Sequence, residues 1–157
     1  TFTGLLAEAG FEMTGIDNSE DMLVIANNKK YEQEDLCSMI YSLQDMRNFR
    51  VPSKSAAVVS VCDSVNYIID EEDLTKTFRS VKDALIEGGI FIFDLKTIHF
   101  FKDVLGEGTI AENREDAAFI WDNYYYEEEA VNEYQLAVFV QEKEGLYRKY
   151  EEKIIPI

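Results

Sequence analysis

Two cysteines, two prolines, one histidine and one tryptophan are all that 157 residues carry of these types, and each scarcity closes off a class of protein. Cys37 and Cys62 cannot build a disulfide framework, and their spacing matches no zinc knuckle. With His99 as the sole imidazole, a structural zinc site lacks ligands, so no resident metal is expected. Reduced thiols and a start unlike a signal peptide point to the cytoplasm. No stretch approaches the roughly 18 apolar residues that cross a bilayer. Basic residues are also few: 15 Lys and Arg against 31 Asp and Glu, a net charge of −16. Phosphate backbones and anionic lipids repel such a polyanion, and no local basic patch offsets it. Nucleic-acid and membrane partners are therefore excluded.

What is present is an ordinary globular composition, 46% hydrophobic and 13% aromatic, in a chain of one-domain length. The negative charge is uneven: −5 over residues 1–50, −3 over 51–100 and −8 over 101–157. The last third is a different kind of surface. The first residue is Thr1 rather than Met, one step before a helical pattern. The chain reads as a piece cut from something longer, truncated at both ends.

Phe2, Leu5, Leu6 and Ala9 recur at helical spacing, and Gly10 supplies a stop. Residues 11–16 form a short strand ending at Asp17. Ser19 is a good N-cap, with Glu20 and Asp21 at the positive end of the next helix. Met22, Ile25 and Ala26 give that helix its apolar stripe, fading at Asn27 to Lys30. Residues 31–37 continue a second short helix or form a loop. Met39 to Leu43 is strand-like, and Arg47 to Ser55 is loop. Ala56 to Cys62 is an unbroken small and apolar run, expected in a strand buried on both faces. A helix starts at Asp70 to Asp73, buries Leu74, Phe78, Val81 and Leu85, and stops at Gly88-Gly89. Ile90 to Phe93 is a further buried strand. Helices between these strands call for crossovers, hence a parallel sheet with helices on its faces.

After Asp94 the pattern changes. Residues 95–116 read as mixed, with Gly106 and Gly108 in a loop. From Ala117 the period becomes two. Three strands follow, at 117–126, 134–140 and 147–155, joined by the turns Glu127 to Glu129 and Glu142 to Gly145. Short turns between alternating strands make an antiparallel meander.

In an open parallel sheet, ligands bind beyond the carboxyl ends of the strands. That rule selects Asp17, Asp45, Cys62-Asp63-Ser64 and Asp94. Asp17 either accepts hydrogen bonds from two ribose hydroxyls or helps cap the helix after Ser19. Asp45 either accepts from an exocyclic adenine amine, with the Met46 N–H beside it, or is a loop carboxylate in water. Two aspartates at consecutive strand ends together imply a bound nucleoside.

These residues resemble a known family. Met13-Thr-Gly-Ile-Asp17-Asn-Ser-Glu-Asp-Met22-Leu is similar to the second conserved block of class I S-adenosylmethionine-dependent methyltransferases. Gln44-Asp45-Met46 resembles the adenine-binding block, and Val58 to Cys62 with Asp63-Ser-Val-Asn-Tyr67 resembles the fourth. Leu85-Ile-Glu-Gly-Gly89-Ile-Phe-Ile-Phe-Asp94 resembles the segment after it. Pairing Cys-Asp-Ser-Val-Asn-Tyr with the later Trp-Asp-Asn-Tyr-Tyr-Tyr is similar to a bacterial subgroup of small-molecule methyltransferases. That subgroup has an antiparallel insert after the fifth core strand. The resemblance implies an α/β, Rossmann-like, doubly wound sheet, an incomplete seven-stranded core over 1–95, with a β-meander insert over 96–157 as a substrate cover. The family's glycine-rich loop and first strand are absent, and so are its last helices and hairpin.

By the same resemblance the cofactor is S-adenosylmethionine. Asp17 would hold the ribose, Asn18 and Met22 would flank the adenosine, Asp45 and Met46 would read the adenine edge, and Cys62 would lie alongside through its backbone. Asp63, Asn66, Tyr67 and His99 are substrate-side candidates with no assigned catalytic role. Tyr67 could equally pack under the next helix, and His99 could be an exposed loop residue. The aromatic meander either lines a substrate cover or is ordinary half-buried strand. If it overhangs the acceptor, its acidity suits a cationic or amine small molecule. Methyl transfer itself needs little beyond alignment, which in favourable intramolecular cases contributes roughly 7–11 kcal/mol. Two other readings stay open: a non-catalytic nucleoside-binding or interaction module, and an NAD-dependent oxidoreductase, whose ribose Asp17 would serve equally well.

Overall fold

The computed structural model describes residues 2–31 and 39–154. Cys37 and the expected helix or loop over 31–37 lie, past Tyr31, outside the described residues. Contacts group the chain into two compact units: residues 1–58 with 71–92, and residues 59–70 with 93–157. Among the described residues, no helix is long and apolar enough to cross a membrane.

The first unit begins with α1 (Phe2–Glu8), β1 (Met13–Asp17), α2 (Glu20–Tyr31) and β2 (Met39–Leu43). β1 and β2 pair in parallel, from Met13 opposite Met39 to Asp17 opposite Leu43. Ala7 is the buried residue of α1, not the Phe2–Leu5 stripe read from spacing; Leu5 is 63% exposed. Ala7 packs with Met39, Met13 and Tyr41. Gly15 is needed here, because a Cβ on it would meet the Tyr41 ring at 2.5 Å.

Helix α2 likewise turns a different stripe inward. Leu23 is buried, whereas Met22 and Ile25 are 55% and 48% exposed. Two apolar rows lie side by side on this helix, and the row facing inward runs Leu23, Ala26 or Asn27, and Lys30 at intervals of three to four. Asn27 donates to the Leu23 carbonyl at 2.9 Å, and the Lys30 ammonium donates to the Met39 carbonyl. A polar end of the row thus ties α2 to β2, which apolar spacing does not signal.

β3 (Ser55–Ser60), α3 (Glu71–Ala84) and β4 (Leu85–Phe93) complete the helix-and-strand part, with β3 and β4 paired. Phe49, Val81 and Ala84 form the core here, with Ile16, Val51, Val58, Leu85 and Phe91 against them. β3 is not buried on both faces as expected: Ala56, Ala57 and Val59 are exposed, and Val58 is its contribution to that core. Phe78 is 42% exposed while Thr77 is buried, so the buried face of α3 runs Thr77, Val81, Ala84. Its helix ends at Ala84, and Gly88-Gly89 lies inside β4 rather than terminating the helix. Gly89 serves close strand passage, since a Cβ on it would stand 3.1 Å from the Ala56 carbonyl, whereas Gly88 supplies a left-handed φ of 77°.

The second unit contains the 3-10 turn Ser64–Tyr67, the π-helical turn Phe100–Leu105, and strands β5 (Gly108–Asn113), β6 (Ala117–Tyr126), β7 (Val131–Lys143) and β8 (Leu146–Ile154). The strands form one antiparallel sheet in the order β5-β6-β7-β8. The meander is thus as expected but longer by one strand, β5, which together with the π-helical turn replaces the expected loop. Phe101 is 1% exposed and meets Phe100 edge to face at 5.7 Å. The most enclosed sheet positions are polar or amphipathic: Asn123, Asn132, Glu133 and Tyr134 are each under 9% exposed.

Candidate functional site

At the carboxyl end of β1, the Asp17 Oδ1 accepts the Ser19 N–H at 2.9 Å. Ser19 in turn caps α2, its Oγ accepting the Met22 N–H at 3.2 Å. The helix-cap role of Asp17 is therefore real, but it engages one oxygen. Among the described residues, nothing bonds the other. The Gln44 N–H donates to the Asp17 carbonyl at 3.0 Å, which holds the chain leaving β2 beside the end of β1. The two carboxylates singled out from the sequence therefore stand at neighbouring ends of a parallel strand pair. Asn18 is exposed, and Met22 presents its thioether on the same exposed start of α2.

Asp45 is not a carboxylate loose in water. Arg47 donates to it from its backbone N–H at 2.8 Å, from Nε at 2.9 and 3.0 Å and from Nη2 at 2.5 Å. The Arg47 hydrogen bonds hold the Asp45 carboxyl below the usual range. Nη1 reaches Asp73 on α3 at 2.8 Å, and Ser80 donates to the Arg47 carbonyl at 3.0 Å. The block Gln44-Asp45-Met46 is thereby pinned to α3. Met46 is half-buried.

These residues fit the nucleoside half of S-adenosylmethionine by the chemistry of their donors and acceptors. Ribose hydroxyls and an adenine amine are neutral donors, and Asp17 offers them an uncommitted carboxylate oxygen. Asp45 offers them an oxygen pair only in so far as Arg47 shares it.

The second unit holds the remaining candidates. Cys62 and Asp63 have φ of 62° and 50°, left-handed backbone that non-glycine residues adopt at a cost and that clusters at functional sites. Long-range bonds over-determine this geometry. The Asp63 N–H donates to both Asp94 oxygens at 3.2 Å, and Ser64 Oγ donates to the Val61 carbonyl at 2.8 Å. Asn66 is committed to the backbone of Lys96, donating to its carbonyl and accepting from its N–H, both at 2.9 Å. The Asp63 Oδ2 meets Lys96 Nζ at 2.8 Å. Cys62 is a free, exposed thiol, and Tyr67 is 45% exposed.

Burial, then the charge on Asp63, raises the Tyr67 hydroxyl pKa above its ordinary value, with Lys96 acting the other way. Burial pushes Tyr134 up to about 12, Tyr67 and Asp63 adding to the shift. Tyr134 also meets Trp121 edge to face at 4.8 Å. The Tyr134 hydroxyl, Trp121 Nε1 and Asn132 Oδ1 are buried without hydrogen-bond partners among the described residues. His99 stands apart. Its Nδ1 lies 2.8 Å from Asp103 in a pair that is 75% and 55% exposed, and no hydrogen bond joins it to Asp63, Asn66 or Tyr67. Sequence reasoning did not single out Lys96, Phe100 or the unpartnered Tyr134 hydroxyl; position two residues past Asp94 was the one available signal for Lys96.

A family model for the methyltransferase domain matches residues 1–89. A putative methyltransferase of Bacillus subtilis (strain 168), YqeM, is 33% identical over 156 residues, 97% of this chain and 62% of that protein. The glycine/sarcosine N-methyltransferase of Aphanothece halophytica is 26% identical over 98 residues, 62% of this chain and 37% of that protein. Among solved structures, an S-adenosylmethionine-dependent methyltransferase from Clostridium acetobutylicum ATCC 824 superposes with a TM-score of 0.80 at 29% identity, covering 93% of this chain and 57% of that one. The chain thus spans about three-fifths of the length of the first of these relatives. On the motif order, the strand-end carboxylates and these matches, the chain belongs to the methyltransferase domain family, the class I S-adenosylmethionine-dependent methyltransferases.

Proposed function

We propose that the chain forms the nucleoside-binding part of an S-adenosylmethionine-dependent methyltransferase that modifies a small-molecule acceptor. The observation that carries this is Asp17. One of its oxygens accepts the N–H of Ser19, the N-cap of α2, and the other is left for a ligand, at a strand end held against the Gln44-Asp45 turn. In this reading Asp17 accepts from the ribose hydroxyls, and Asn18 and Met22 flank the adenosine. Asp45 and Met46 meet the adenine edge as Arg47 yields part of the carboxylate. When bound, the cofactor supplies a methyl group already activated by its sulfonium. What the chain contributes is alignment and exclusion of water.

The acceptor side is assigned to Asp63 and Tyr67, with Asn66 fixing their loop and His99 at the periphery. A cationic or amine acceptor is favoured by the −8 charge over 101–157, and by the N-methyltransferase among the relatives. The exposed free thiol of Cys62 supports a cytoplasmic setting.

Calorimetric titration with S-adenosylmethionine, its demethylated product and NAD tests the reading. Binding of the first two and not the third is expected. Binding of NAD alone overturns it in favour of an oxidoreductase, and binding of none favours an interaction module.

A further inference from the structure

The loop 62–67 and the segment 94–100 of the second unit hold an ammonium already. Lys96 Nζ lies 2.8 Å from Asp63 Oδ2 and 5.2 Å over the Phe100 ring. A carboxylate beside an aromatic face is the chemistry that recognises alkylammonium groups. The parts of this arrangement are fixed without the lysine side chain. The main chain of Lys96 is gripped by Asn66, and that of Asp63 by Asp94. The butylammonium arm is therefore a tethered occupant rather than a strut. Its side chain is 32% exposed, against 16% for Asp63, so the seat opens to solvent on the lysine side.

Charge around the seat is unbalanced. Asp63 and Asp94 face the loop, and Glu152 acts on Tyr67. Glu152 pairs with Leu136, which pairs with Trp121, so Glu152 and Trp121 lie in one row on one face of the sheet. Lys96 is the single cation among these groups. A second, independent sign of a ligand is Tyr134. It is 4% exposed, with a hydroxyl that has no partner among the described residues, and after burial the nearby Tyr67 and Asp63 add to the rise of its pKa. A buried hydroxyl left unbonded carries a standing cost, which a ligand bearing hydrogen-bonding groups would relieve.

We propose that Asp63 and Phe100 form a seat for the ammonium of a protonated alkylamine ligand, and that Lys96 is its built-in placeholder and sets how tightly an external amine is held. This rests on the methyltransferase reading only in making that amine the methyl acceptor; the seat itself is a statement about this unit.

The test is a ligand-observed NMR titration of the full chain, without cofactor and at constant ionic strength. The probes are ethylammonium chloride and, as its neutral counterpart, ethanol. Lys96→Met should bind ethylammonium about tenfold or more tightly than the unaltered chain does, and show no such gain for ethanol. Adding Asp63→Asn to Lys96→Met should abolish the gain. Phe100→Leu, which removes the aromatic face under the ammonium, should reduce it about twofold to threefold, and provides the same sign should Asp63→Asn unfold the loop. Equal ethylammonium affinity with and without the lysine overturns the proposal, as does a gain that survives both the Asp63→Asn and the Phe100→Leu substitutions. A chain that binds S-adenosylmethionine but shows no gain in Lys96→Met loses the seat alone. Amine binding without nucleoside binding loses the methyltransferase reading alone.

Discussion

In the first unit the candidate carboxylates are held by their own neighbours: Asp17 by Ser19 and Asp45 by Arg47, each two residues on. In the second unit Asp63 is held from 31 residues away, by Asp94, on a backbone forced into the left-handed region. The two units also differ in how they enclose side chains. The first keeps small apolar clusters around Met39 and around Phe49 with Val81, and leaves Ile86, Ile90 and Ile92 about half exposed. The second encloses Phe101 together with asparagines and an unbonded tyrosine hydroxyl. The difference teaches that a strand-end carboxylate can be presented cheaply by a local turn or expensively by long-range clamps. The expensive version coincides with buried polar groups that have no partner among the described residues.

The largest expected effect separates the two kinds of enclosure. Phe101→Ala removes a ring that is 1% exposed and should cost about 3–5 kcal/mol in denaturant unfolding. Phe78→Ala, in the first unit, removes a ring that is 42% exposed and should cost clearly less. Equal costs would erase the contrast between a filled second unit and a sparser first.

Next in size, and opposite in sign, is Tyr134→Phe. Deleting a buried hydroxyl that bonds nothing should raise stability by about 1–2 kcal/mol, read as a higher midpoint in the same experiment. Its pH dependence sharpens the point. The hydroxyl titrates at about 12 when folded, against 10.0 ordinarily. The unfolded chain therefore loses that proton first as pH rises, and the stability linked to it, complete below pH 10, falls between 10 and 12. Tyr134→Phe should lack that alkaline fall. A destabilised variant would mean the hydroxyl is bonded after all.

Arg47→Ala should have the smallest effect on folding, since the pair is at the surface. Asp45 and Asp73 are both held below the usual carboxylate range, Asp45 chiefly by hydrogen bonds from Arg47 and Asp73 by those from Lys76 and then Arg47. Their contribution is present above that range and is lost as pH falls through it, so acid unfolding of Arg47→Ala should begin at higher pH. The same substitution frees the Asp45 oxygens and should tighten nucleoside binding, by about twofold to fivefold. Weaker binding would show instead that Arg47 orients Asp45 for the ligand.

How far the sequence was legible follows the same division. β1, β2 and their strand-end aspartates were readable because turn chemistry and caps act over two or three residues, as at Asp17-Asn18-Ser19. The family blocks were readable for the same reason. The inward face of α2 was misread because Lys30 and Asn27, polar residues, complete the row begun by Leu23. Gly88-Gly89 looked like a helix stop, since nothing local reveals that a carbonyl from Ala56 passes 3.1 Å from the Gly89 Cβ position. The left-handed pair Cys62-Asp63 and the Lys96 ammonium were invisible for a related reason. Their partners lie about 30 residues away, and no spacing rule links Asn66 to Lys96.

The second oxygen of Asp17 is the atom that separates a ribose-binding carboxylate from a helix cap. Calorimetric titration of S-adenosylhomocysteine into the full chain and its Asp17→Ala variant measures that oxygen directly. Loss of a hydrogen bond to a charged group predicts binding weaker by about 1.5–3 kcal/mol. An unchanged affinity would contradict the account and leave Asp17 as a helix cap.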